Sequence, residues 1–299
     1  MFKEYLQMQI IVLTWGFTAL VGKLVTIPAV ELVFYRSLFA FVAFFIICYF
    51  QKENLNIGFK NILRFMGNGF LVGAHFLLFY GAVEVSTVSI CLIGMATSSL
   101  WASIFEPLIR KRPVKWYEIL LGLIIILGIF VIFRNEKAGN NTFLGLFMAL
   151  GSAFLGALVT IFNGKYVARF TSNVMMSFEM LASWLLVLIF MPFYAFFFAK
   201  DQSLHLLINF EDVFYILFLS IFCTVWTYSI AVNLMKKISA FAMNLSINME
   251  PIYGIAMAAM IFGEHEQMTT DFYRGAVIIL LAVLAYPFLK MYEDKRIKS

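Results

Sequence analysis

PAVELVFYRSLFAFVAFFIICYF, residues 28–50, decides the fold. Apart from Glu31 and Arg36 near its start it carries no charge, and it is long enough to cross a bilayer once. A hydrocarbon core about 30 Å thick takes about 20 apolar residues of helix. Working outward, similar stretches run at 8–26, 61–82, 86–109, 116–133, 143–164, 174–199, 213–233, 238–262 and 272–289, with short connectors between them. Composition agrees: 63% of the 299 residues are hydrophobic, 35 are phenylalanine and 13% are charged. A water-soluble domain carries roughly a quarter charged residues. The expectation is an all-α integral membrane protein with ten transmembrane helices.

The net charge of +5 and the pI near 9.0 do not point to nucleic acid, because the basic residues are sorted by side. Of the 22 lysines and arginines, sixteen fall at the termini and in the even-numbered loops, in clusters such as Arg110-Lys111-Arg112 and Lys236-Lys237. Five (Lys23, Arg134, Lys137, Lys200 and Arg274) fall on the other side, and Arg36 lies within a span. Basic loops stay cytoplasmic, so both termini are expected there, in a cell inner (cytoplasmic) membrane. The first span is too long for a removable signal peptide and lacks a small-residue cleavage site. Cys48, Cys91 and Cys223 stand singly inside spans, without the spacing of a disulfide framework or a metal site.

The most turn-rich connector, RNEKAGNNT at 134–142, falls between the fifth and sixth spans. It divides the chain into 1–137 and 138–299, each with five spans. An odd number of crossings inverts the second half relative to the first, a recurrent design of secondary transporters. KRPVKWYEILLG at 111–122 parallels EHEQMTTDFYRG at 264–275, each a polar turn with a glycine eleven residues on. Lys23, eight residues after Trp15, parallels Lys165, eight residues after Ala157.

WGFTALVGK (15–23), FYRSLFAF (34–41), YGAVEVSTVSI (80–90), KKISAFAMNLSINMEPIYGI (236–255) and FGEHEQ (262–267) resemble the motifs of EamA-type transporters of the drug/metabolite transporter superfamily. The resemblance covers both halves. It implies two inverted five-helix repeats, with spans one to four and six to nine around a central cavity and spans five and ten outside, and it implies metabolite export. The second half has Pro251 and Glu264 where the first is expected to have Ser98 and Lys111.

Charge inside the membrane is costly and marks function. Arg36, about two turns into the second span, cannot deprotonate and needs an acceptor, either a substrate carboxylate or phosphate or structural backbone carbonyls. Glu250 lies mid-span beside Pro251, which removes a backbone hydrogen bond and opens carbonyls where a helix lines a cavity. Asn244, Asn248 and Pro251 share one face at spacings of four and three. Burial drives a carboxyl toward its neutral form, so Glu250 is a candidate proton-coupling residue, with hydrogen-bonded packing as the plainer reading. His75, on the same face as Asn68, contacts substrate, takes up a proton, or is a satisfied structural histidine. Tyr80, Trp101 and Tyr228 offer rings for stacking, against a background of core aromatics. Lys23 reads as interfacial, and Glu106 and Glu179 as structural partners of nearby basic residues. Gly145, Ala149, Ser152, Gly156, Thr160 and Gly164 form a stripe for close helix packing.

Enzyme signatures are thin. His265-Glu266 is not HExxH, since Thr269 stands in the second histidine's place, and no P-loop or GxSxG occurs. The expected function is therefore a secondary transporter working by alternating access on small metabolites such as amino acids. No cofactor is expected, and the partners are substrate, lipid bilayer and protons. The expected substrate contacts are His75, Asn244, Asn248 and Glu250, with Arg36, Tyr80, Trp101 and Tyr228 nearby. Two other classes stay open: an intramembrane enzyme on lipid-linked substrates, and a non-transporting sensor or assembly partner.

Overall fold

The computed structural model describes residues 2–134, 141–199, 203–262 and 270–298. Within them the chain is helical: α1 (Phe2–Leu24), α2 (Ala29–Phe50), α3 (Phe59–Val85), α4 (Val88–Met95), α5 (Ser98–Arg110), α6 (Trp116–Phe133), α7 (Thr142–Tyr166), α8 (Ser172–Phe197), α9 (Phe210–Leu217), a π-helical stretch Phe218–Trp226, α10 (Thr227–Leu234), α11 (Ala240–Ile247), α12 (Glu250–Phe262) and α13 (Thr270–Lys298). Among the described residues seven helical rods are long and apolar enough to cross a membrane, with α9, the π-helical stretch and α10 counting as one, and a shorter apolar helix spans Trp116–Val131. Large apolar side chains such as Leu127, Phe147, Ile189 and Phe196 face outward. A continuous surface of that kind suits lipid. Much of the 134–142 connector, residues 200–202, and Glu264, His265 and Glu266 lie outside the described residues.

Two of the expected spans are interrupted. The stretch 86–109 is two helices, α4 and α5, joined by a turn at Ala96–Thr97, and 238–262 is α11 and α12, joined at Asn248–Met249. In each pair the first helix has 8 residues and a two-residue turn separates it from the second. The starts match too. Thr87 Oγ1 accepts from the Ile90 amide and Ser239 Oγ from the Ala242 amide, each at 3.1 Å. Such hydroxyls satisfy amides that a helix start leaves bare. In the second pair the cause of the break is Pro251, the second residue of α12, which has no N–H to continue α11. In the first, the Thr97 hydroxyl donates to the Gly94 carbonyl at 2.7 Å and so competes with the backbone ladder. The matched lengths set Ser98 opposite Glu250 and Ser99 opposite Pro251, one residue away from the sequence alignment of Ser98 with Pro251.

Small residues bring the helices close. α7 packs along α3, α4 and α5, and α8 along α2 and α3. A Cβ on Gly145 would lie 2.1 Å from Ser86 Oγ, one on Gly94 2.4 Å from the Ala149 side chain, and one on Gly69 2.2 Å from the Glu179 carbonyl oxygen. The stripe on α7 is thus a packing seam. α6 packs chiefly against α13. At one end of the bundle Asp212 accepts from the Thr26 amide and hydroxyl at 2.8 and 2.6 Å, and Glu84 from the Ala29 amide at 2.9 Å. At the other end Thr171 donates to Glu53, and Asn233 to Ser172 Oγ at 2.8 Å. Loop-to-helix ties at one end are thus matched by ties between the corresponding elements of the other half.

Candidate functional site

A cavity of about 90 Å³ lies between the two halves, bounded by α1, α2, α3, α4, α5, α7, α10, α11 and α12. Its wall includes Trp15, Thr18, Arg36, His75, Asn163, Tyr228, Asn244 and Glu250, and Ser98 at the first residue of α5. Trp15 and Tyr228 form an aromatic side with ring centroids 5.6 Å apart. It extends toward the end where α7 and α10 finish and α11 begins, since Asn163, Met235 and Met243 are part of its wall.

Arg36 is only 2% exposed. Its Nε donates to Thr224 Oγ1 at 3.0 Å, Nη1 donates to the Tyr80 hydroxyl, and the guanidinium lies 4.3 Å over the Phe76 ring. The π-helical stretch makes this possible. Thr224 sits within it and donates back to the Leu219 carbonyl, five residues earlier, at 2.8 Å. The widened turn also offers the Cys223 carbonyl to Trp15 Nε1 at 3.2 Å. Such bulges recur at functional sites. A guanidinium has five N–H donors, and Arg36 has no acidic partner among the described residues. Its remaining hydrogen-bonding capacity faces the cavity.

Glu250 opens α12 and lines the same cavity. No hydrogen bond or ion pair holds it among the described residues, although the Arg36 charge is close enough to act on it. Ser98, its counterpart at the start of α5, has a buried hydroxyl without a partner. Both half-helix starts therefore present a polar side chain to the cavity, where the helix dipole is positive.

The other expected residues divide. His75 lines the cavity, but its Nδ1–H donates to the Ser152 carbonyl at 2.9 Å, and the Ser152 hydroxyl donates to the His75 carbonyl at 2.9 Å. That fixes the ring and leaves Nε2 as an acceptor. Asn244 is on the wall and donates to the Ala240 carbonyl at 2.9 Å. Asn248, Tyr80 and Trp101 do not line the cavity. Asn248 belongs to the helix break, Tyr80 stands behind Arg36 against Gly22, and Trp101 packs on Phe105 and Phe154. Trp15, Thr18, Ser98 and Asn163 were not expected as substrate contacts, because nothing in their spacing separates them from packing residues. Lys23 is exposed, in keeping with an interfacial place. Glu106 pairs with Arg110 and Arg112, as expected, and also accepts the Ala240 and Phe241 amides at the start of α11 at 3.2 and 2.9 Å. Glu179 differs: it is fully buried and bonded to Asn163, with no basic partner among the described residues. The reason is that α8 starts at Ser172, which carries Glu179 two turns into the bundle. Among the described residues no group of three His, Cys, Asp or Glu is placed to hold a metal.

A cavity between two halves that repeat the same broken-helix pattern matches what the comparisons find. The sequence profile of the EamA-like transporter family matches residues 2–134 and again residues 143–286. The chain belongs to the EamA-like transporter family. It is thus a multi-pass membrane protein of the drug/metabolite transporter superfamily, and EamA members are transporters rather than enzymes. A solved structure, described only as the crystal structure of a protein, shares the EamA chain's fold with a TM-score of 0.74. The match covers 99% of this chain and 98% of that one at 10% identity. No curated protein matches the chain at a significant level.

Proposed function

We propose that this EamA protein is a secondary transporter that exports small zwitterionic metabolites, amino acids foremost, across the cytoplasmic membrane by alternating access. In this reading α4 with α5 makes one crossing, α11 with α12 another, and α6 a third, giving ten crossings in two inverted five-helix repeats with both termini in the cytoplasm. The observation that carries it is a pair of opposite charges on the wall of one cavity, Arg36 with no carboxylate and Glu250 with no cation in ion-pair contact among the described residues. Arg36 receives a substrate carboxylate, Glu250 a substrate ammonium, and the Trp15–Tyr228 wall the apolar part. The sorting of basic residues supports the orientation, and the family resemblance supports export.

The test is flux of radiolabelled amino acids, nucleosides and organic acids in liposomes containing the purified protein. Saturable flux of amino acids is expected. Flux confined to another class, or none from folded protein, contradicts the reading.

A further inference from the structure

Glu179 has no role in the binding site just described, yet it is one side chain behind the cavity wall. Asn163 lines the cavity and donates its amide N–H to Glu179 Oε2 at 3.2 Å. Asn68, on α3, donates in turn to Asn163 Oδ1 at 3.0 Å. All three side chains are buried. The cluster is short of donors, because Glu179 Oε1 and Asn68 Oδ1 are both buried without a hydrogen-bond partner. Backbone packing keeps it so: the Glu179 carbonyl lies where a Cβ of Gly69 would be, which brings α8 hard against α3.

Among the described residues no positive charge pairs with this carboxyl. The titratable or charged groups on the helices around it are Glu31, Tyr35, Arg36, Cys48 and Tyr49 on α2, Lys60, Arg64, His75, Tyr80 and Glu84 on α3, Lys165 and Tyr166 on α7, and Tyr228 on α10. None forms an ion pair or hydrogen bond with Glu179. Arg36 is engaged by Thr224 and Tyr80, His75 by Ser152, and Lys165 is exposed. A buried carboxylate without counter-charge or full hydrogen bonding is costly, and a proton supplies both deficits at once.

We infer that Glu179 is the proton-binding site of the transport cycle, read out in the cavity through Asn163. A proton from cavity water adds to the carboxylate and returns to water when the cavity faces the other side, with no other bond made or broken. Ionised Glu179 holds the Asn163 amide by a charge-assisted bond. Protonated, it holds that amide more weakly and frees it for the cavity. The coupling rests on the carrier reading above; the proton site itself does not.

The test is infrared difference spectroscopy of the reconstituted protein between mildly acid and mildly alkaline pH, with Glu179→Gln, Glu179→Asp and Glu250→Gln. A titrating carbonyl band of a protonated carboxyl is expected in the wild type. With Glu250→Gln in place to remove the Glu250 carboxyl's own contribution, a band should persist, shift when Glu179→Asp is added and disappear when Glu179→Gln is added. Its absence from the wild type or from Glu250→Gln, or its persistence unshifted in both combined variants, overturns the inference. In liposomes, Glu179→Gln should still exchange tritiated leucine at equal pH but lose the response to a pH gradient. A retained response overturns the coupling. If no leucine flux occurs in either protein, the substrate reading fails and the infrared result alone decides the proton site.

Discussion

Asn248 donates its side-chain N–H to the Ser99 hydroxyl at 2.9 Å, tying the break between α11 and α12 to the start of α5. Both side chains are buried. A residue in the turn that interrupts one half is thus bonded to the element that follows the interruption in the other. Relative motion of the halves during a transport cycle would strain or break this contact.

Removing that bond should therefore be felt in stability. Asn248→Ala leaves the buried Ser99 hydroxyl with only its 3.4 Å bond to the Ala96 carbonyl and should cost about 0.5–1.5 kcal/mol. Combining it with Ser99→Ala should cost less than the sum of the single changes, because both delete the same bond. Thermal unfolding in detergent measures this, and additive losses would show that the contact carries no energy.

Close helix approach gives a sharper contrast. Gly69→Ala puts a methyl group 2.2 Å from the Glu179 carbonyl oxygen and forces α3 away from α8. A cost of about 1–3 kcal/mol is expected for such overpacking. Gly67→Ala, two residues away, meets nothing within 4 Å and should be neutral or stabilising. Equal behaviour of the two variants in thermal unfolding would count against the packing of α3 on α8.

Glu106 predicts an unequal pair of charge deletions. It is 1% exposed, joined to Arg110 and Arg112, and accepts two backbone amides of α11. Glu106→Ala should lower stability by about 1.5–3 kcal/mol or more, the range for hydrogen bonds to charged groups. Lys237→Ala removes an ion pair to Glu4 whose lysine is 67% exposed, and should cost about 0–1 kcal/mol. The two melting curves decide, and a larger loss for Lys237→Ala would contradict the capping role of Glu106.

Much of this molecule is written in its apolar runs. Residues 28–50 announce α2 almost to the residue, and the long spans follow the same rule of length and hydropathy. The breaks at 96–97 and 248–249 are harder to read. Pro251 signals the second, but Ala96-Thr97 carries no comparable signal. The face shared by Asn244, Asn248 and Pro251 was legible as a stripe, yet the helix breaks at 248–249, and Asn248 lies off the cavity wall that Asn244 lines. Arg36 was conspicuous as an intramembrane charge. Its partner Thr224 was not, because a π-helical turn changes which residues share a face. Glu179 was misplaced for a simpler reason: a helix start read two residues late moves a side chain from the rim toward the interior.

The opposed charges of Arg36 and Glu250 are the centre of this account, and substrate analogues test them most directly. Counterflow of tritiated leucine is measured with unlabelled leucine, leucinamide or N-acetylleucine as competitor. Each analogue lacks one charge, and the loss of one charged contact, about 1.5–3 kcal/mol, corresponds to roughly ten-fold weaker competition or more. The account predicts that weakening for both analogues in the wild type. It further predicts that discrimination against leucinamide is lost in Arg36→Gln and discrimination against N-acetylleucine in Glu250→Gln. Competition by all three compounds with equal strength in the wild type would contradict it.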